Sequence, residues 1–213
     1  MSELTLSEEV LLVALDHVSG SGKTRLGLDW AVAGAGVVEL ALAQKITVRE
    51  KGIVTVLDPA PTGIGHLDAV LAETTDGCSV SKVLRRTRRG APDRALTALV
   101  ERGVLHRERA RVLRILPVHR YPTSDSSAEA AVRARLDATV LGGQAPSERT
   151  AALIGVLHAA KLWRRAVPSG GRKHVRRRMS DIAAGRSISP EVRKAIARTQ
   201  GAITAMTAAA GSG

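Results

Sequence analysis

The stretch LGLDWAVAGAGVVELALA, residues 26–43, constrains the fold more than any other part of the chain. It is apolar on nearly every side of a helix, which is typical of a helix at the centre of a bundle. Gly34 and Gly36 leave room for neighbouring helices to approach closely. Asp29 and Glu39 lie within the run, and these charges favour a buried helix over a membrane span.

The rest of the pattern indicates a mainly α protein with one or two small β-hairpins. The chain contains no Phe, one Tyr and two Trp, so its core must be built from Leu, Val, Ile and Ala. The Ser/Pro/Gly stretches are too short for domain linkers, so we expect a single domain over residues 1–213. The pattern predicts helices at 7–15, 65–73, 80–89, 93–102, 126–141, 149–163 and from Ser189-Pro190 onward, and hairpins at 45–58 and 103–122.

The net charge of the chain indicates which chemical class of partner it binds. A net charge of +12 indicates an anionic partner, which could be nucleic acid, a membrane surface or a phosphorylated ligand. A bias toward Arg and Ala from a GC-rich genome would also raise the charge. However, residues 161–178 hold eight Lys/Arg and no acid, and this clustering exceeds a uniform bias. The single cysteine, Cys78, and the acidic start of the chain indicate a cytoplasmic protein.

The segment HVSGSGKT, residues 17–24, is close to a phosphate-binding loop. Gly22, Lys23 and Thr24 match the end of that motif, but its first glycine is replaced by His17. The residues before the segment have the pattern of a helix, whereas this motif follows a strand. We therefore interpret the segment as a polar turn. The six histidines have no metal-site spacing and no catalytic triad stands out, so we expect no enzymatic activity, cofactor or metal.

Four landmarks in order resemble the Golgi phosphoprotein 3 family. They are LTLSEEVLLVALD, ELALAQKITV, DPAPTG followed by Leu67-Asp68, and LVERGVL followed by a hairpin, and they extend from about residue 4 to residue 163. The resemblance implies a helical bundle surrounded by amphipathic helices. It also implies a peripheral membrane protein that binds phosphatidylinositol 4-phosphate and contacts the cytosolic tails of membrane enzymes. The chain is similar to bacterial, actinobacterial-type members, because it lacks a long acidic N-terminal tail.

The family's headgroup pocket uses a tryptophan, a central-helix arginine and two arginines before LVERGVL. By resemblance these four positions fall at Thr24 or Arg25, at Ala33, at Arg89 and at Pro92, so Arg89 alone keeps the family residue. Other cations lie nearby in sequence and could grip a phosphate in their place. The candidate headgroup ligands are Arg89, Arg25, Lys23, Arg94 and Arg86. Trp30 and Trp163 are interpreted as core residues.

The second hairpin has two interpretations. Apolar residues near its tip, Val112, Leu113, Ile115 and Leu116, fit membrane insertion or oligomer contact, and the resemblance implies self-association through residues 107–120. The order of a helix followed by a hairpin is also typical of a winged-helix protein that binds nucleic acid. No short helix-turn-helix with a polar recognition helix precedes the hairpin. We therefore expect an anionic phospholipid at a membrane surface as the partner, with nucleic acid as the alternative.

Overall fold

The computed structural model describes residues 3–15, 27–112, 116–124, 126–185 and 189–210, and within these ranges it is mainly helical. The helices are α1 (Leu6–Ala14), α2 (Leu28–Leu42), α3 (Gly65–Ala72), α4 (Val80–Thr87), α5 (Ala91–Glu101), α6 (Ser126–Val140), α7 (Glu148–Ala159), α8 (Trp163–Ala166), α9 (Arg172–Ala183) and α10 (Pro190–Ala210). The strands are β1 (Ile46–Val48), β2 (Val54–Val56), β3 (Glu108–Val112) and β4 (Leu116–Arg120).

Helix α1 begins with a capping box. The Thr5 hydroxyl accepts a hydrogen bond from the Glu8 amide, and the Glu8 carboxylate accepts one from the Thr5 amide at 2.7 Å. Every residue of α1 is buried, because the helix packs along α2 in the middle of the molecule. The Leu6 amide donates to Glu39 at the far end of α2, so the two helices run antiparallel.

Helix α2 is the central helix that the apolar run predicts. Its glycines allow the close packing: a Cβ on Gly34 would lie 2.6 Å from the Ile203 side chain of α10, and one on Gly36 would lie 3.1 Å from Val70 of α3. The surrounding core is aliphatic, and its largest fully buried side chains are leucines and isoleucines. Val132, Leu136 and Val140 bury one face of α6 against this core, as their spacing predicts.

Several helices end at the same end of the bundle. Helices α7 and α10 run in the same direction, since the Ser189 amide donates to Glu148 near their starts and Gln200 donates to the Gly155 carbonyl further along. A Cβ on Gly27, just before α2, would touch Thr207 near the end of α10. The ends of α1, α7 and α10 therefore lie together with the start of α2.

Both predicted hairpins are present and antiparallel. Ile46 pairs with Val56 in the first, and Val112 pairs with Leu116 in the second. The last helix begins at Pro190, as predicted from the Ser-Pro pair. Helix α9 was not predicted from the sequence, because it directly follows the helix-breaking residues PSGG. Its buried residues Val175, Met179 and Ile182 nevertheless recur at helical spacing. Within the described ranges, no helix is long and apolar enough to cross a bilayer.

Candidate anionic-ligand surface

Arg88 anchors the turn between α4 and α5 to the start of α2. Its guanidinium donates to the Asp29 carboxylate at 2.5 Å and lies 4.5 Å from the centre of the Trp30 ring. Trp30 is 7% exposed and belongs to the core, as expected. An arginine held by both an acid and an aromatic face is fixed in position. Arg88 therefore sets the geometry of the turn and has little capacity left for a ligand.

Three of the predicted ligands lie on or beside this turn. The Arg89 side chain is exposed directly after Arg88. Arg86, one turn earlier, makes a long 3.9 Å ion pair with Glu73. Arg94 folds back over the turn and donates to the Thr87 carbonyl at 3.3 Å. The structure thus brings Arg86, Arg89 and Arg94 into one region at the end of α4.

The other predicted residues are only partly accounted for. Lys23 and Arg25 lie outside the described residues, in the segment that joins α1 to α2. In the second hairpin, Leu113 and Ile115 also lie outside the described residues, while Val112 and Leu116 are the paired strand residues next to the tip. The exposure of these hairpin side chains therefore stays a prediction.

Further cations gather where α1 and α7 end. The Arg165 guanidinium donates to the Ala14 carbonyl, the last residue of α1. Lys161 and Arg164 are exposed on either side of the short turn into α8. Because α2 begins at this same end and binds Arg88, the cations after α4 belong to it as well. We call this set, Arg86, Arg88, Arg89, Lys161, Arg164 and Arg165, the basic end.

Three arginines within the bundle are paired with acids that are buried or nearly so. Arg102 lies 3.2 Å from Glu8, and Arg149 lies 2.6 Å from Glu39. Arg135 lies 2.5 Å from Glu9; burial raises the pKa of Glu9 despite this arginine. Charges neutralised in this way project little field into solvent. These three arginines therefore contribute little to the positive potential at the surface.

The fold around residues 17–24 is not that of a phosphate-binding loop. Helix α1 precedes the segment where the motif requires a strand, as the sequence predicts, and the strands of the described residues form two antiparallel hairpins. Asp58, which could have served as a magnesium ligand, instead binds Lys45 at 2.5 Å. This hydrogen bond lowers the pKa of the exposed Asp58 carboxyl.

The DPAPTG landmark has a structural explanation. The Thr62 amide and hydroxyl both donate to Asp68 at 2.6 Å, which closes the loop onto the start of α3. Burial acts to raise the pKa of Asp68, but the hydrogen bonds from Thr62 prevail and lower it. Asp58 and Asp68 are therefore bound within the loop and are not poised for acid–base chemistry.

His66 makes the stability of the protein depend on pH. Its Nε2 lies 2.8 Å from the Thr5 hydroxyl, and burial lowers its pKa. Below about pH 6.5 the unfolded chain binds a proton that native His66 resists, so the free energy of unfolding falls as the pH drops. We expect His66→Gln to reduce this loss, measured by urea unfolding at pH 7.5 and 5.5. Part of the loss of stability at low pH should persist in this variant, because burial also lowers the pKa of His158. An unchanged pH dependence in His66→Gln would contradict the assignment.

Comparison with known proteins identifies a family. The family model described as Golgi phosphoprotein 3 (GPP34) matches residues 6–199, which is most of the chain. No curated protein matches the sequence. The matched range contains α1 to α9, the first half of α10, both hairpins and the turn that carries Arg88 and Arg89.

Proposed function

Because this chain belongs to the Golgi phosphoprotein 3 family, we propose that it is a non-enzymatic protein that binds anionic phospholipid headgroups at a membrane surface. The observation that carries the proposal is the group of exposed cations at the basic end, Arg86, Arg89, Lys161 and Arg164. Each cation near an anionic bilayer contributes about 1 kcal/mol of attraction. Several such residues acting together would hold the protein on the cytoplasmic surface of a membrane.

Arg89 is the residue proposed to contact the headgroup directly. It occupies an arginine position of the family's pocket, it is exposed, and no ion pair engages it among the described residues. Arginine binds phosphate through two parallel hydrogen bonds, which orients the headgroup. Arg88 supports this role because its contacts with Asp29 and Trp30 hold the turn in place. Selectivity for phosphatidylinositol 4-phosphate would then depend on Arg89 together with Lys23, Arg25, Arg86 and Arg94.

Reversing Arg86 and Arg89 to glutamate is expected to weaken binding to anionic vesicles. Losing two attractions of about 1 kcal/mol each weakens binding by about 2 kcal/mol, or about 30-fold in the partition coefficient, and the repulsion from the two glutamates adds to this loss. The measurement is co-sedimentation with vesicles containing phosphatidylglycerol at low salt. The matched control reverses Arg49 and Arg198, which are exposed beside the first hairpin, away from the basic end. Equal losses in the two variants would show that net charge alone matters and would contradict the proposed surface.

The nucleic-acid alternative predicts a different binding profile. The second hairpin does follow α5, as a wing would. Helix α5, however, packs against α1, α2 and α3, so its buried face belongs to the bundle. Tight binding of duplex DNA with a steep salt dependence, and no vesicle binding, would favour this alternative. Self-association through residues 107–120 and contact with tails of membrane enzymes are further proposals that follow from the family.

A further inference from the structure

A long cleft lies between α9 and α10, beside the ends of α7 and α8. Its volume is about 1340 Å³, which exceeds the usual range of small-molecule pockets. Most of the side chains along it are exposed, so the cleft is open to water over its length. Arg86, Arg89 and Arg94 do not line it, so the headgroup turn lies outside the cleft, whereas Lys161 and Arg164 of the basic end stand on its rim.

The floor of the cleft is a row of small residues on α10. The opposite face of this helix is buried through Ile196, Thr199 and Ile203, while the row itself faces solvent. The row spans roughly 16 Å at 1.5 Å per residue. It consists of Ala197, Gly201, Ala205 and Ala208. Small residues at this spacing let a second helix approach closely, and a Cβ on Gly201 would meet no atom within 4 Å.

The rim of the cleft is strongly basic. Five cations line it, namely Lys161, Arg164, Lys173, Arg176 and Arg177. Asp181 is the one acid among the described residues of the lining, and it already lies 3.9 Å from Arg177. Arg164 lies over the ring of Trp163, at 6.0 Å from its centre, which places an aromatic surface beside the charges. An occupant must therefore be acidic at its edges and apolar along its middle.

Lys161 has a backbone conformation that is unusual for its residue type. It follows α7 with φ of 56°, in the left-handed region where glycine is preferred. The amide of Leu162 closes the helix end on the Leu157 carbonyl. A lysine at this position costs stability that a glycine would not. Its presence adds a cation at the mouth of the cleft.

We propose that this cleft binds an acidic amphipathic helix of another protein. Such a helix would lay its apolar stripe on the floor formed by α10 and place its flanking carboxylates against the basic rim, with its outer face in water. A lipid acyl chain fits less well, because an open cleft would leave one side of the chain wet. A nucleic acid would use the cations but has no need for the apolar floor. A second copy of this chain that brought the same cleft to this one would place cations against cations, and the two rims would repel each other.

The test selects ligands from a displayed library of random 16-residue peptides on the full-length protein. We expect the selected peptides to carry Glu or Asp on both sides of an apolar stripe with helical spacing. A selected peptide, once synthesised, should bind at least tenfold more weakly to Gly201→Leu, whose Cβ would meet no atom within 4 Å and whose side chain would occupy the floor of the cleft, and to Lys173→Glu. Circular dichroism checks that the variants fold; leucine is a better helix former than the glycine it replaces.

The outcomes separate this proposal from the lipid-binding proposal. Gly201→Leu should bind phosphatidylglycerol vesicles as the wild type does, because the headgroup turn is untouched. Four results would overturn the proposal. The selection could yield no acidic helical peptide, or the selected peptide could bind Gly201→Leu as tightly as it binds the wild type. A version of the peptide whose helix is broken by proline could bind as tightly as the original, or Gly201→Leu could abolish vesicle binding. The last would assign the cleft to the membrane. Failure of the wild type to bind any vesicle would leave the peptide result unaffected.

Discussion

Replacing Arg149 by methionine is expected to destabilise the protein by about 3 kcal/mol. The Arg149 guanidinium holds Glu39 at 2.6 Å and also donates to the Leu4 carbonyl, which ties α7 to α2 and to the start of α1. The Glu39 side chain is 12% exposed. Without Arg149, this carboxylate keeps the Leu6 amide but loses its countercharge in a poorly solvated place. Although burial acts to lower the pKa of Arg149, hydrogen bonding and attraction to Glu39 raise it.

The measurement is urea unfolding at neutral pH, with the midpoint of thermal unfolding as a second readout. For a chain of this size, 3 kcal/mol corresponds to a decrease of roughly 6–12 °C. The matched control is Arg177→Met, which removes an exposed ion pair with Asp181 and should change stability by less than about 0.5 kcal/mol. Similar effects in the two variants would show that the Arg149 network does not hold these helices together.

Gly34→Val should destabilise the bundle by about 3 kcal/mol. The Cβ alone would lie 2.6 Å from Ile203 and 2.9 Å from Thr199, and the two valine methyl groups would need further space. Ile203 and Thr199 are both fully buried, so neither side chain can turn toward solvent. Helices α2 and α10 would have to separate along their length, and the core between them would loosen.

The control for this prediction exchanges a glycine that has space around it. Gly201 also lies within a helix, α10, but a Cβ there would meet nothing within 4 Å. Gly201→Ala should therefore stabilise the protein by about 0.5–1 kcal/mol through helix propensity alone. Denaturant unfolding of both variants checks the pair. A Gly34→Val protein as stable as the wild type would show that α10 does not pack against α2 as described.

The sequence indicated the fold well because the fold depends on local patterns. The largely apolar run of α2 predicted a central helix, and the Ser189-Pro190 pair predicted the start of α10. Helix α9 was not predicted because its first turn is almost entirely basic and only four buried residues mark its inner face. Periodicity at Val175, Met179 and Ile182 could have revealed it.

The site could be predicted only in part, because it depends on contacts between distant segments. Arg89 was identified through the family resemblance. The neighbouring Arg88 is held by Asp29 and Trp30. Asp29 lies 59 positions away in the sequence, and no local pattern encodes a contact over that distance. Trp163 was expected in the core, yet it is only partly buried and lines the basic cleft. The run of cations at 161–178 was visible in the sequence, but their arrangement around the cleft and the basic end was not.

Binding of the wild-type protein to vesicles tests the central claim most directly. The vesicles would contain neutral phosphatidylcholine alone, or with added phosphatidylglycerol, phosphatidylinositol or phosphatidylinositol 4-phosphate, at low and near-physiological salt. We predict binding to the anionic vesicles, weakened by salt because the attraction is electrostatic, and no binding to neutral ones. Added selectivity for the 4-phosphate that Arg89→Ala removes would establish the family's pocket in this chain. Failure to bind any anionic vesicle at low salt would contradict the lipid-binding function.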